Sequence, residues 1–148
     1  MTRIVLLDSG PLGLLVHPQR GQPLEVWIRD HARAGTLVVM PAITYYELRR
    51  ELVRMNRAAA VAHLDGFARS LAHAEVTTAV LVRASELWAE ARRRGRPTAD
   101  DRALDVDMIL AATALELLAP GDDVVVATTN ARHLGQFVPT ATWAEITP

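Results

Sequence analysis

The chain has 148 residues, half of them apolar, and a formal charge of −1 from 16 basic and 17 acidic side chains. Every base is an arginine, so a nucleic-acid partner would have to be gripped by a local basic patch rather than by global charge. Cysteine is absent, which excludes disulfides, thiolate metal sites and cysteine nucleophiles together. The length suits one domain over 1–148. The first apolar run, 4–7, is too short for a membrane span and is interrupted by Asp8 and Pro11, so a soluble, cytoplasmic protein is expected.

Short β-type runs alternate with helical patterns, the signature of a parallel sheet covered by helices. A first strand is expected at 4–7 and a short helix near 10–16. "QPLEVWIRDHARAG" places Leu24, Trp27, Ile28 and His31 at helical spacing and stops at Gly35. "TLVVMP" reads as a second strand closed by Pro41. A helix over 44–56 follows, with Thr44 as its expected N-cap, and another over 58–72. A third strand is expected at 75–77. "TAVLVRASELWAEARRRG" then forms a helix whose inward face is expected to be Leu81, Ala84, Leu87, Trp88 and Ala91, and its arginines suit a helix C-terminus. "RPTADDR" is polar and turn-prone. "LDVDMILAATALELL" is apolar nearly all round and should be a buried helix. "DDVVVATT" is the fourth strand, and a last one is expected at 142–146.

Acids recur where the strands end. In parallel α/β sheets, ligands bind outside the carboxyl ends of the strands, and Asp8 stands at that end of the first strand. Glu47 lies early in the helix after the second strand, and Asp107, with Asp105 beside it, near the start of the buried helix. Clustered carboxylates resist burial unless something positive sits among them. Oxygen ligands without thiolate or paired histidine favour a hard cation, Mg²⁺ or Mn²⁺.

Each acid also has a plainer use. Asp8 can cap the following helix, and Glu47 can pair with Arg50 on the helix surface. Glu51, one turn on, competes with Glu47. Asp105 and Asp107 point about 200° apart on a regular helix, so they cannot both face one ion. Ser9 is a turn residue that can also donate to Asp8 or a phosphate. His133 reads as structural, and Trp27, Trp88 and Trp143 as core or oligomer-interface residues. Arg49, Arg50, Arg54, Arg57 and the arginines of 92–96, with Arg93 and Arg94 foremost, are either phosphate contacts, solvated helix faces or partners for a protein's acids.

Four stretches, "LLDSGPL", "PAITYYELRREL", "DVDMILAATAL" and "VVVATTNARHL", together resemble the PIN-domain nucleases, particularly the VapC-type toxins of bacterial toxin-antitoxin pairs. The resemblance spans nearly the whole chain. It implies a three-layer α/β/α fold with a central parallel sheet of four or five strands, and Mg²⁺- or Mn²⁺-dependent hydrolysis of RNA. By position it gives Asp8, Glu47 and Asp107 the catalytic roles, with Asp8 and Asp107 on the metal. It also implies a cognate antitoxin, and a homodimer is expected, with the helices of the N-terminal half that carry Trp27 and Tyr45 or Tyr46 as candidate interface elements. Where many members carry a fourth acid, this chain has Asn130. A receiver-type Mg²⁺-binding domain fits less well because no lysine is present. A nucleotide-binding module lacks its glycine-rich motif. A PIN fold kept for RNA binding or regulation is the remaining alternative.

Overall fold

The first strand forms as β1 (Arg3–Leu7), and in this computed structural model the backbone is described over residues 1–95 and 101–148, with side chains for all of these except 101 and 102. After β1 come α1 (Ser9–Leu15), α2 (Gln22–Arg33), β2 (Leu37–Pro41), α3 (Ala42–Arg54), α4 (Ala58–Ser70) and β3 (Ala72–Ala74). The second half contributes α5 (Thr78–Arg93), α6 (Asp101–Glu116), β4 (Asp123–Ala127), α7 (Ala131–Leu134), β5 (Thr140–Ala141) and a closing 3₁₀ turn (Trp143–Glu145). The five strands pair in parallel in the order β3-β2-β1-β4-β5, as helical crossovers require.

Alternation along β1 sets the layers. Val5 and Leu7 face a core shared with α1, α2 and α4, while Ile4 and Leu6 face one shared with α6 and α7. Strands buried on both faces need continuous apolar runs, and "IVLL" and "VVVA" supply them. Each fully buried leucine or valine stabilises the fold by roughly 1.5–3 kcal/mol. No described helix is long and apolar enough to cross a membrane.

Four sequence-based expectations are corrected. The third strand lies at β3, not 75–77, because the Thr77 hydroxyl accepts from the Val80 N–H and so starts α5. Helix α3 starts at Ala42 after Pro41 as N-cap. Thr44 instead turns its hydroxyl to Leu7 O (2.9 Å) and Pro41 O (3.2 Å). The last strand is β5, since Thr142 and Glu145 cap each other reciprocally and wind 143–145 into the 3₁₀ turn. The inward face of α5 runs through Val80 and Ala84, with Leu87 and Ala91 packed behind them; Leu81 (49% exposed) and Trp88 (36%) lie outside. Residues 96–100, which hold most of "RPTADDR" and include Arg96, lie outside the described residues.

The C-terminal segment is clamped to α2. The Trp27 indole N–H donates to Ile146 O at 2.9 Å, and His31 Nε2 lies 3.0 Å from the same carbonyl. A carbonyl only accepts, so His31 carries its proton on Nε2. Trp27 is therefore buried, with Trp143 edge-on beside it, and is no interface residue. Tyr45 is likewise committed, its hydroxyl donating to Asp65 at 2.6 Å; Tyr46 is 56% exposed.

Candidate functional site at the carboxyl end of the sheet

A cleft of about 380 Å³ opens where β1 and β4 end, lined by Asp8, Ser9, Gly10, Glu47, Ala103, Asp107, Thr129, Asn130 and His133. Four separate chain segments build it. Asp8 follows the last residue of β1, and its N–H donates to Ala127 O of β4 at 3.0 Å. Glu47 is carried on the second turn of α3, which the Thr44 hydroxyl ties to the end of β1. Asp107 comes from the buried helix α6, and Asn130 from the N-cap of α7. The fit is close: a Cβ on Gly10 would stand 2.9 Å from Thr129 Oγ1, so a larger residue there would require the Thr129 side chain to shift.

Asp8 is held at both oxygens. Oδ1 accepts from the Ser9 N–H at 2.7 Å, which makes Asp8 the N-cap of α1 as well as a cleft residue. Oδ2 accepts from the Thr128 hydroxyl at 2.7 Å, and Thr128 Oγ1 in turn accepts from the Asn130 N–H at 3.0 Å. Thr128 is almost wholly buried, and the sequence reading missed it: at a strand end, a β-branched residue reads as strand former rather than as a donor. Thr129 and the cleft position of His133 were missed similarly.

Asp107 carries the electrostatic strain of the site. Burial, then the nearby charges of Asp8 and Glu47, push its carboxyl from 3.8 to about 7. Among the described residues no three His, Cys, Asp or Glu side chains are gathered tightly enough to chelate an ion as they stand. The oxygen donors facing the cleft, three carboxylates, the Asn130 amide and the Ser9 and Thr129 hydroxyls, suit a hard divalent cation, His133 lines the same cleft, and the charges that act on Asp107 are those of Asp8 and Glu47. The Asn130 side chain makes no capping bond to α7, so its amide is not spent on the helix.

The other candidates separate from this cleft. Asp105 is exposed and lines an apolar groove between α5 and α6 with Leu81, Trp88 and Met108. Glu51 is exposed and paired with Arg54, which holds its carboxyl below the usual range. Arg49 grips Asp65 through two bonds of 3.0 and 3.2 Å. Arg94 pairs with Glu90, reaches Gln136 at 3.2 Å and lies over Phe137. Arg92 lies over Trp88. Arg93 and Arg57 are exposed, and Arg50 lies over the Tyr46 ring, 5.2 Å from its centroid, rather than on Glu47.

This combination, a β3-β2-β1-β4-β5 parallel sheet with an acidic cleft at its carboxyl end, defines a PIN-like α/β fold. The same fold recurs in solved structures across nearly the whole chain. A chain of VapBC from Salmonella typhimurium, crystallised bound to DNA, superimposes with a TM-score of 0.72 at 19% identity, covering 97% of this chain and 99% of that one. A chain of VapBC2 from Rickettsia felis, bound to a promoter DNA fragment, gives 0.68 at 15% identity, with coverages of 95% and 98%. VapC20 from Mycobacterium tuberculosis, described as a sarcin-ricin loop cleaving toxin, gives 0.58 at 15% identity, with coverages of 90% and 96%. No protein-family model matches the chain, and no curated protein matches it in sequence.

Proposed function

We propose that the protein is a divalent-metal-dependent endoribonuclease, the toxin of a toxin-antitoxin pair, with residues 1–148 as its single domain. The observation that carries this reading is the half-buried carboxyl of Asp107, raised to about 7 beside Asp8 and Glu47 in a cleft at the strand ends. A carboxyl held in that state is poised to exchange its proton for a cation. Asp8 and Asp107 would hold Mg²⁺ or Mn²⁺, with Glu47 as a further ligand or as the group that orients water. Asn130 is a neutral oxygen donor at the edge of the set.

When bound, the cation supplies neutralisation of phosphoryl charge and makes water acidic enough to attack near neutral pH. The chain's own groups do the remaining work. The Thr128 hydroxyl and Ser9 N–H keep Asp8 in one rotamer with a free lone pair on each oxygen. Glu47, on the helix that Thr44 anchors to β1, would orient the attacking water or join the ligand set. The Ser9 side chain, at the cleft, donates to a phosphate oxygen. A homodimer, and an antitoxin whose basic side chain enters the acid cluster, complete the reading.

Purified protein should cleave RNA in Mg²⁺ or Mn²⁺ and stop in EDTA. Asp8→Asn and Asp107→Asn should each lower the rate by roughly 100-fold or more, the scale of losing one electrostatic group at a reacting centre, with unchanged circular dichroism. Cleavage that persists in EDTA, or in both variants, overturns the proposal.

A further inference from the structure

The acidic cleft poses a problem for any polyanion: three carboxylates repel the phosphodiester backbone on either side of the scissile bond. Cations close to the cleft have to offset that repulsion, and the structure distinguishes which arginines are available to do so. On α3, Arg49 is held by Asp65 and Arg54 by Glu51. Arg50 makes no ion pair among the described residues. Three residues on from Glu47, it stands one helical turn along nearly the same face, where side chains are about 5–6 Å apart at Cβ.

Arg50 is also pre-positioned. Its guanidinium lies over the ring of Tyr46, 5.2 Å from the centroid, and Tyr46 is 56% exposed. Stacking of this kind costs Arg50 none of its hydrogen-bond donors. With more than half of Tyr46 open to solvent, a planar group can reach the ring. A backbone-directed cation beside an exposed aromatic face is the physical pattern of single-stranded nucleic-acid binding.

We infer that the Tyr46–Arg50 pair on α3 is a nucleotide-binding element beside the cleft, Arg50 holding a phosphate of the RNA strand and Tyr46 stacking a base next to the scissile bond. This rests on the ribonuclease reading of the cleft and adds the element that positions the strand there.

The test is binding of a single-stranded RNA oligonucleotide, read by fluorescence anisotropy across a salt series, in an Asp107→Asn background with Mg²⁺ so that the strand stays intact. Arg50→Gln should weaken binding and reduce the slope of log K against log salt by about 0.7, the value for one phosphate contact on a single strand. Tyr46→Leu should weaken binding roughly fivefold or more with the slope unchanged, and Tyr46→Phe should restore it. Arg54→Gln, on the same helix but paired to Glu51, should leave both quantities unchanged. If unsubstituted protein cleaves RNA while the Arg50 and Tyr46 variants bind like their parent, the inference is overturned and the ribonuclease reading stands. If light scattering shows that these variants lose self-association while RNA affinity holds, the pair belongs to a protein interface and the inference is again overturned. If the unsubstituted protein neither cleaves nor binds RNA, both readings fall.

Discussion

Two places in this molecule bury polar groups, and they do so to opposite effect. At the C-terminal clamp, one carbonyl, Ile146 O, receives the Trp27 N–H and the His31 Nε2–H, so two donors removed from water find an acceptor. At the cleft, Asp107 is more than half buried with carboxylates as its charged neighbours, and its proton is retained to about pH 7 as the result. The first arrangement stabilises the fold and asks nothing of a ligand. The second destabilises the ionised state and is relieved only by a proton or a cation. Polar burial met by a carbonyl of the chain itself reads as structure, even though His31 Nδ1 has no hydrogen-bond partner among the described residues, and polar burial that gathers one sign of charge reads as a site.

Asp107→Asn is the substitution that should break this contrast most visibly. Its folded-state pKa lies above the ordinary carboxyl value, so between pH 3.8 and about 7 the folded chain holds a proton that the unfolded chain has lost. Stability therefore falls as pH rises through that window, and the loss is complete above it. At pH 8 without metal, Asp107→Asn should melt above the unsubstituted chain, by about 3 °C for each kcal/mol of repulsion removed. At pH 3 the two should coincide. Saturating Mn²⁺ should raise the melting temperature of the unsubstituted chain alone, as ligand binding to the folded state requires. Equal melting at pH 8 would show that Asp107 is not under strain.

At the clamp, the expected sign is reversed. Trp27→Phe keeps an aromatic ring but removes one donor to Ile146 O, so urea denaturation at pH 8 should show a loss of about 1–2 kcal/mol. The loss should be the same with and without Mn²⁺. A metal-dependent loss would mean that the clamp and the cleft are coupled rather than separate.

Asn130→Asp sharpens the description of the cleft by the smallest step. An added carboxylate next to a bound cation favours binding when it lies within about 4–6 Å. Calorimetric titration of Mn²⁺ should show affinity rising several-fold, while turnover need not rise, since a ground-state gain leaves the chemical barrier where it was. The amide makes no capping bond, so its loss costs α7 nothing. Unchanged affinity would remove Asn130 from the metal set.

The parts of this molecule that were legible in the sequence are those in which one physical demand dominates. "IVLL" and "VVVA" had to be interior strands, and acids placed directly after or near them had to share the carboxyl edge of a parallel sheet, which is where Asp8, Glu47 and Asp107 stand. Helical angle allowed only one of Asp105 and Asp107 to face the cleft, and the resemblance of "DVDMILAATAL" to the PIN-domain nucleases pointed to Asp107. What was not legible involved competing demands. Helix α5 carries two apolar stripes offset by one residue, through Val80 and through Leu81, and only packing against α6 selects the first. "AHAEVTT" contains both a strand and a helix cap, and Thr77 serves the cap, which shifts β3 three residues towards the N-terminus. Thr44 and Thr128 were invisible as anchors because their partners, Leu7 O and Asp8, are distant in the chain.

The brevity of the outermost strands has a consequence for the protein in concentrated solution. β3 has three residues and β5 has two, whereas the interior strands have five each. An open sheet can recruit foreign strands only through unpaired main-chain groups along its margins, and these margins are too short to template a ladder. The sheet thus ends itself on both sides. Polymerisation by strand addition should be suppressed without charged gatekeepers, and a chain with β3 or β5 lengthened by alternating apolar residues should lose that resistance first.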